Sequence, residues 1–227
     1  MRLMLDTANL EDIRYFHKYY PIVGVTTNPT ILSREGGDPI AHLKAIREII
    51  GEDKELHLQV TETEYDRIVT EAMALVKMLG KNTFIKIPAT DVGLKATHYL
   101  SDMGYRITVT AVLSATQAML AANSGASYVA PYISRLENIC DDGVGCAADI
   151  VKIFKAGGSS TQVLAASFKT AKEVLDVAVI GCHAATVSSD ILRKMLAHTT
   201  TNSSIADFES DWKRAFGERT LLSMLEH

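Results

Sequence analysis

Short apolar segments alternate with helical patterns along most of the chain. Eight segments have the length and residue types of buried strands, and a helical pattern follows each of them. The predicted strands are residues 2–7, 24–28, 56–60, 83–89, 106–112, 128–133, 162–168 and 184–187. The helical pattern is clearest over 65–79, where apolar residues recur at three- and four-residue steps before Gly80. This alternation predicts parallel strands with right-handed crossovers, and eight such units predict an α/β fold, the (β/α)8 TIM barrel.

The length and composition fit one barrel domain. The chain has 227 residues, of which 47% are hydrophobic and 22% are charged, and no Ser-, Gly- or Pro-rich linker divides it. We therefore expect a single domain over residues 1–227, including a C-terminal helical extension at 205–227. An open, doubly wound sheet is the alternative fold, but neither a dinucleotide-binding motif nor a P-loop follows any predicted strand.

Charge and hydropathy narrow the classes of partner. The formal net charge is -4 and no block of basic residues occurs, so we expect neither nucleic-acid binding nor membrane-surface binding. The first residues include the charged Arg2 and Asp6 and no long apolar core, so they do not resemble a signal peptide. No apolar run is long enough to span a bilayer. Both features favour a cytoplasmic protein. Small-molecule substrates fit this composition best.

The cysteines and histidines show no metal-binding pattern. Three cysteines, Cys140, Cys146 and Cys182, lack both disulfide-framework and zinc-ligand spacing, so we interpret them as reduced thiols. The seven histidines are scattered and form no H-E-x-x-H pair. We therefore expect neither a metal nor another cofactor.

Lys86 is the clearest candidate for chemistry. It lies in the middle of the apolar segment 83–89, where burying a cation is costly. Burial disfavours the ammonium form and lowers the pKa of a lysine, which frees the amine to attack a carbonyl carbon near neutral pH. The segment therefore suggests Schiff-base chemistry. The alternative is an unreactive lysine whose charge reaches water or pairs with a carboxylate.

The two-residue period of a strand assigns each side chain to the inward or the outward face of a barrel. Apolar residues such as Ile107, Val109 and Ala111 share the outward face of their strand. The polar side chains predicted to face inward are Asp6, Thr26, Asn28, His57, Gln59, Lys86, Thr108, Thr110, Tyr128 and Tyr132, with Ser167 inward or at the mouth. Most of them come late in their strands, at the C-terminal rim where barrel enzymes build active sites. This convergence favours a site around Lys86.

Several motifs in these strands resemble those of a known family. They are Leu5-Asp6-Thr7, Gly24-Val25-Thr26-Thr27-Asn28-Pro29, Ile85-Lys86-Ile87-Pro88, Tyr128-Val129-Ala130-Pro131-Tyr132 with Arg135, and Ala165-Ala166-Ser167-Phe168-Lys169. In order and spacing they are similar to the small transaldolase family, over nearly the whole chain. Within that family, the chain resembles the fructose-6-phosphate aldolase branch more than the transaldolases, which have glutamate, asparagine and phenylalanine where this chain has Gln59, Thr108 and Tyr132.

The resemblance implies a cofactor-independent class I aldolase. Such an enzyme cleaves fructose 6-phosphate to dihydroxyacetone and glyceraldehyde 3-phosphate, or joins these two compounds to make it. Lys86 would form the Schiff base, and Tyr132 would be the general acid/base, acting through a water held by Gln59 and Thr110. The implied substrate contacts are Asp6, Asn28 and Thr26 for the donor ketone, and Arg135 with Ser167 for the acceptor phosphate.

Other interpretations remain open from the sequence. The alternative for Asp6 is a capping carboxylate at the next helix, and the alternative for Arg135 is a surface ion pair with Glu137 or Asp141. A transaldolase that moves the same three-carbon unit between sugar phosphates is the second functional hypothesis. A third is a non-catalytic barrel that binds sugar phosphates, which requires a protonated, unreactive Lys86.

The C-terminal extension suggests self-association. An extra helix is predicted at 205–216, with Phe208, Trp212 and Phe216 at four-residue steps along one face. In one interpretation, this face packs on its own barrel. In the family that the chain resembles, however, the C-terminal helix packs on a neighbouring subunit, which implies a homo-oligomer, either a pentamer or a decamer.

Overall fold

Eight parallel strands form a closed barrel in the computed structural model, which describes residues 1–138 and 142–225. The strands, β1 to β8 in chain order, are Arg2–Asp6, Gly24–Thr26, Glu55–Gln59, Thr83–Pro88, Arg106–Val112, Tyr128–Pro131, Gln162–Ala165 and Ala184–Val187. Each strand pairs with the next in sequence, and β8 pairs with β1 to close the ring. The predicted (β/α)8 barrel is therefore confirmed.

Helices follow every strand of the barrel. In the described residues they are, from α1 to α12, Leu10–Tyr19, Pro29–Glu35, Pro39–Ile50, Tyr65–Leu79, Asp91–Asp102, Ala115–Asn123, Ile133–Glu137, Gly143–Gly157, Ala171–Val179, Ser189–Leu196, Thr199–Phe216 and Leu221–Leu225. Helix α4 has the bounds that its apolar period predicts, and it buries Ile68, Ala72, Leu75 and Leu79. Its apolar stripe thus lies on the sheet, as expected for a barrel helix.

Six of the eight strands end before the predicted residue, and this moves three site residues into loops. Asn28 does not extend β2, because its side-chain oxygen accepts a hydrogen bond from the Ile31 backbone N–H at 2.9 Å and so caps α2. The following Pro29 has no N–H to donate to a neighbouring strand. Tyr132 and Ser167 likewise follow β6 and β7. The barrel rim, and not the strands, therefore carries these side chains.

Hydrogen bonds between strands that are not neighbours establish which side chains face inward. His57 on β3 contacts Thr108 on β5, with 2.9 Å between Nδ1 and Oγ1. Thr26 on β2 contacts Thr186 on β8, with 2.6 Å between the two hydroxyl oxygens. Such contacts are possible only across the interior of the barrel, so the predicted inward orientation of His57, Thr108 and Thr26 is confirmed.

The lower barrel interior combines an apolar cluster with buried charges. The apolar cluster consists of Met4, Phe84, Tyr128, Leu164 and Ala184.

Beside it lies a polar group that we name the Glu55 cluster, which consists of Arg2, Glu55, His57, Tyr128 and Gln162. Arg2 donates to Glu55 at 3.2 Å and also to Tyr128 and Gln162. The Glu55 carboxylate also contacts His57 Nε2 at 3.1 Å and the Tyr128 hydroxyl at 3.0 Å. Side chains from four different strands therefore supply hydrogen-bond partners for the buried polar atoms of the cluster.

The Glu55 cluster holds its carboxylate charged and its imidazole neutral. Burial lowers the pKa of His57 below its ordinary 6.5, and the neighbouring Glu55 opposes this effect without cancelling it. Burial raises the pKa of Glu55, but hydrogen bonding and charge from His57, Tyr128 and Arg2 outweigh it and bring this pKa below 4.5. Both groups thus bind protons less readily in the folded chain than in the unfolded chain.

Acidification is expected to destabilise the barrel through this cluster. Because the unfolded chain takes up a proton at His57 once the pH falls below about 6.5, and at Glu55 below about 4.5, the folded state loses stability as the pH drops. The urea midpoint of the wild type should therefore be lower at about pH 5 than at about pH 7.

The matched variant is His57→Phe, which keeps a ring stacked on Phe84, whose centroid lies 4.5 Å from that of His57. This variant should lose less stability than the wild type between the same two pH values, because it cannot take up the proton in the unfolded state. An equal loss in both proteins would show that His57 does not contribute to the acid sensitivity.

A second compact unit begins at Leu192 and contains α11, which is longer than the predicted helix 205–216. Within it, the Trp212 indole donates to the Arg219 carbonyl at 2.6 Å and packs on Phe216, with ring centroids 4.6 Å apart. Phe208, on the same helix, is 69% exposed. In the described residues, none of the helices combines the length and the apolar character that a membrane span requires.

Candidate active site

Lys86 projects from β4 into the barrel interior. Its side chain is only 5% exposed, and its amine donates a hydrogen bond to the Thr27 carbonyl at 2.8 Å. Gln59 and Thr108 are its register partners on the two neighbouring strands. Burial lowers the pKa of Lys86 below its ordinary 10.5, and the charge of Asp6 partly opposes this. The amine is therefore easier to deprotonate than that of a lysine in water, as a nucleophile requires.

Asp6 belongs to a hydrogen-bonded chain at the mouth and does not cap the next helix, which Asn9 caps instead. The Thr26 hydroxyl donates to Asp6 Oδ1 at 2.6 Å, and the Thr186 hydroxyl lies 2.6 Å from that of Thr26. Since Thr26 has a single hydroxyl proton, Thr186 must supply the second hydrogen bond of the chain. Burial raises the pKa of Asp6, while the charge of Lys86 and the Thr26 hydrogen bond oppose the rise.

Tyr132 and Thr110 meet on the other side of the mouth, with 3.1 Å between their hydroxyl oxygens. The Arg135 guanidinium lies over the Tyr132 ring, 4.8 Å from its centroid. The alternative ion pair of Arg135 with Glu137 is absent, and Glu137 accepts from the Gly143 backbone N–H at 3.0 Å. The other alternative partner, residue 141, lies outside the described residues.

A cavity of about 450 Å³ opens at this C-terminal rim. Its lining residues are Asn28, Pro29, Thr30, Ile31, Arg34, Gln59, Ala111, Tyr132 and Arg135. Four of the predicted site residues are thus brought together in its wall, whereas Lys86, Asp6, Thr26, Thr110 and Ser167 are not part of the lining. Gln59 and Tyr132 connect the two sets, since Gln59 is in register with Lys86 and Tyr132 contacts Thr110.

Two residues at the rim have a left-handed backbone although they are not glycine. Ala111 has a φ of 55° and Ser167 a φ of 64°, conformations that cost energy and occur frequently at functional sites. The pairing of β5 with β6 shifts register between Val109 and Val112, so the strict alternation of β5 stops before its end. The predicted outward orientation of Ala111 is therefore wrong, and this residue lines the cavity.

Ser167 lies beside the segment that carries Arg135. Its carbonyl oxygen accepts a hydrogen bond from the Ser134 backbone N–H at 2.9 Å. The two residues predicted to bind the acceptor phosphate are therefore brought to neighbouring positions after β6 and β7, even though only Arg135 lines the cavity.

Comparison with known proteins agrees with this geometry. A family model described as Transaldolase/Fructose-6-phosphate aldolase matches residues 3–222 of the chain. The chain belongs to this family. It is therefore an enzyme with aldolase-type chemistry in a TIM barrel.

Individual members of the family include proteins with both names. A probable transaldolase of Brevibacillus brevis is 40% identical over 212 residues, which are 93% of this chain and 98% of that protein. A probable fructose-6-phosphate aldolase of Streptococcus pneumoniae is 36% identical over 213 residues, which are 93% of this chain and 96% of that protein. These names do not distinguish the two activities of the family for this chain.

A solved structure outside the family shares the barrel fold. A flavocytochrome b2 variant with bound sulfite superposes with a TM-score of 0.57 at 12% sequence identity, over 83% of this chain and 56% of the flavocytochrome chain. At this identity the likeness concerns the fold alone.

Of the three cysteines, Cys182 is a buried thiol, and burial raises its pKa to about 12. Cys140 lies outside the described residues. In residues 1–138 and 142–225, no group of three or more His, Cys, Asp or Glu side chains is placed to hold a metal ion.

Three residues near the site were missed from the sequence. Thr186 shares the inward face of β8 with Ala184, so strand alternation alone was sufficient to identify it. Ala111 was assigned to the wrong face because its backbone leaves the strand. Arg34 lies in the polar segment 33–35, where nothing in the sequence separates a cavity residue from a solvated one.

Proposed function

We propose that the chain is a class I aldolase that reversibly cleaves fructose 6-phosphate to dihydroxyacetone and glyceraldehyde 3-phosphate. The observation that carries this proposal is the buried Lys86 amine, whose pKa is lowered and which lies beside Asp6 at the C-terminal end of the barrel. Members of the family named as probable fructose-6-phosphate aldolases add support.

In the synthetic direction, the Lys86 amine attacks the ketone carbon of dihydroxyacetone, and the ketone oxygen leaves as water. The resulting iminium accepts the electron pair of the neighbouring C–H bond when that proton is removed, which gives an enamine. The enamine carbon then bonds to the aldehyde carbon of glyceraldehyde 3-phosphate, whose oxygen takes up a proton. Hydrolysis of the new iminium releases fructose 6-phosphate and restores the amine.

Tyr132 is the proposed proton carrier. Its phenol can give and accept a proton, whereas the Gln59 amide can only hold a water molecule by hydrogen bonds. Thr110 orients the phenol through the 3.1 Å contact between their oxygens. In this mechanism, a water held by Gln59 and Thr110 carries the proton between Tyr132 and the substrate.

The donor and acceptor take opposite parts of the site. Asp6 and Thr26 are the last residues of β1 and β2, and Asn28 follows β2. All three would bind the donor hydroxyls, and Asp6 would also stabilise the cationic iminium. The Asn28 side-chain oxygen caps α2, which leaves its amide N–H groups for the substrate. Arg135 and Ser167 would bind the acceptor phosphate, after β6 and β7, where barrels often bind phosphate.

A transaldolase is the second candidate, because relatives with 39% to 40% identity carry the name probable transaldolase. Gln59, Thr108 and Tyr132 argue against it, since the resemblance places other residues there in transaldolases. In addition, the Thr108 hydroxyl is engaged by His57 at 2.9 Å, away from the cavity lining.

Borohydride trapping tests the proposal. The protein is incubated with dihydroxyacetone or fructose 6-phosphate, reduced and weighed by mass spectrometry, and a three-carbon adduct is expected. Turnover of free dihydroxyacetone with glyceraldehyde 3-phosphate would identify the aldolase. Activity only when erythrose 4-phosphate accepts the unit from fructose 6-phosphate would identify the transaldolase. Absence of any adduct would instead support a non-catalytic sugar-phosphate-binding barrel.

We also infer that the chain forms a homo-oligomer, a pentamer or decamer, through its C-terminal helices. Leu221, Leu222 and Leu225 of α12 are 65%, 67% and 83% exposed, and Phe208 of α11 is also exposed. Apolar side chains of this size are commonly covered by a partner. Light scattering at micromolar concentration should give a mass several times that of one chain, and a monomer would contradict the inference.

A further inference from the structure

The cavity is lined by two arginines and by no acidic side chain. Arg34 lies in α2, which follows β2, and Arg135 lies in α7, which follows β6. In a closed ring of eight strands, β2 and β6 are four positions apart. The two arginines therefore approach the cavity from opposite sides of the barrel.

Neither arginine has a carboxylate partner among the described residues. Within residues 1–138 and 142–225, neither guanidinium has an ion pair or a hydrogen bond, and Arg135 contacts only the face of the Tyr132 ring. Two other exposed arginines do have carboxylate partners, Arg67 with Glu62 at 2.8 Å and Arg214 with Asp211 at 3.0 Å. As far as the structure describes the chain, the cavity thus carries two positive charges that form no ion pair.

The size of the cavity lets both charges act on one ligand. A volume of 450 Å³ corresponds to a sphere about 10 Å across, which is close to the Debye length of about 8 Å at physiological ionic strength. An anion bound anywhere in the cavity therefore experiences both arginines. A phosphate dianion benefits most, because one arginine compensates only one of its two charges.

We propose that Arg34 is a specificity-determining residue, which acts with Arg135 to make the cavity select substrates that carry a phosphate dianion. This inference rests on the proposed function for its substrate, glyceraldehyde 3-phosphate, and goes beyond it by assigning a second cation. Arg34 acts through its charge. The cavity should therefore prefer a phosphorylated aldehyde over the unphosphorylated aldehyde with the same carbon skeleton.

The test compares Arg34→Gln with the wild type in aldol addition of dihydroxyacetone to two acceptors. The KM for glyceraldehyde 3-phosphate should rise about tenfold, while the kinetics with unphosphorylated glyceraldehyde stay within about twofold. Arg34→Lys keeps the charge and should restore most of the KM. Added salt, from about 0.05 M to about 0.5 M, should reduce the difference between the variant and the wild type.

Arg14→Gln is the matched control, because Arg14 is an exposed arginine of α1 that does not line the cavity. It should leave both acceptors unaffected. An equal loss with both acceptors in Arg34→Gln would assign Arg34 a structural role and overturn the proposal. An unchanged KM for the phosphorylated acceptor would overturn it as well.

Binding of inorganic phosphate separates this inference from the proposed reaction. Phosphate should raise the melting temperature of the wild type in a dose-dependent manner, and the apparent Kd should rise about tenfold in Arg34→Gln. If phosphate binding weakens in this way in Arg34→Gln while neither acceptor is turned over by the wild type, the role of Arg34 in phosphate binding is supported and the aldolase assignment is refuted. If phosphate binds equally to the wild type and the variant, or to neither, the role of Arg34 is refuted.

Discussion

Lys86→Met is expected to abolish the borohydride-trapped adduct and to lower aldol turnover by about 10⁴-fold or more, since the substitution removes the amine that forms the proposed iminium. Methionine has nearly the shape of lysine and suits the apolar surroundings of β4, so the barrel should remain folded by circular dichroism. Mass spectrometry after reduction and a coupled assay for glyceraldehyde 3-phosphate measure the two losses.

The matched control is Lys54→Met. The Lys54 amine also donates to a backbone carbonyl, that of Ile22, at 2.8 Å, but Lys54 precedes β3, at the end of the strands opposite the C-terminal rim. This variant should keep the adduct and most of the turnover. An adduct that survives in Lys86→Met would place the Schiff base on another lysine and contradict the mechanism.

The pH dependence of adduct formation provides an independent check on Lys86. Because burial lowers its pKa, half of the Lys86 amine is free at a pH below the ordinary lysine value of 10.5. The rate of adduct formation in the wild type should therefore rise with pH, and the midpoint of the rise should lie below pH 10.5.

Tyr132→Phe is expected to lower kcat by about 10²- to 10⁴-fold while the trapped adduct still forms. The substitution removes the hydroxyl that contacts Thr110 but keeps the ring under Arg135, so the KM for the phosphorylated acceptor should change little. Steady-state kinetics and trapping, performed on the same preparation, therefore separate loss of proton transfer from loss of Schiff-base formation.

Tyr65→Phe serves as the control, because Tyr65 packs edge-on against Tyr99 on the outer helices. It should have nearly wild-type kcat. Thr110→Val removes the orienting partner of Tyr132 and one of the two residues that hold the water, and it should have an intermediate kcat, since the phenol and Gln59 remain. If Tyr132→Phe retained kcat within about fivefold, another group would have to carry the proton.

Strand alternation predicted much of the interior before any coordinates were considered. It placed Lys86, Thr26, His57 and Thr108 on the inward face, and their hydrogen bonds across the barrel agree. This information is local, because burial of every second side chain under the helices imposes a two-residue period on each strand.

The rim was less predictable, because it depends on where each strand stops. Asn28 leaves β2 to cap a helix, and Ala111 leaves the outward face of β5 by adopting a positive φ. The end of each strand depends on single backbone conformations and hydrogen bonds, and a pattern of residue types does not specify these. The sequence thus proposed the candidate site residues, whereas the backbone geometry that supports them came from the structure.

By itself, the sequence determined the barrel, its eight strands and the inward position of Lys86, because hydrophobic burial imposes a repeating pattern on each segment separately. Only the tertiary structure decided the partners of the polar groups: Glu55 with Arg2 and His57, Thr186 with Thr26, and Arg34 opposite Arg135. These pairs join residues far apart in the chain. Their contacts depend on how all eight strands close into one ring, so no local pattern contains them.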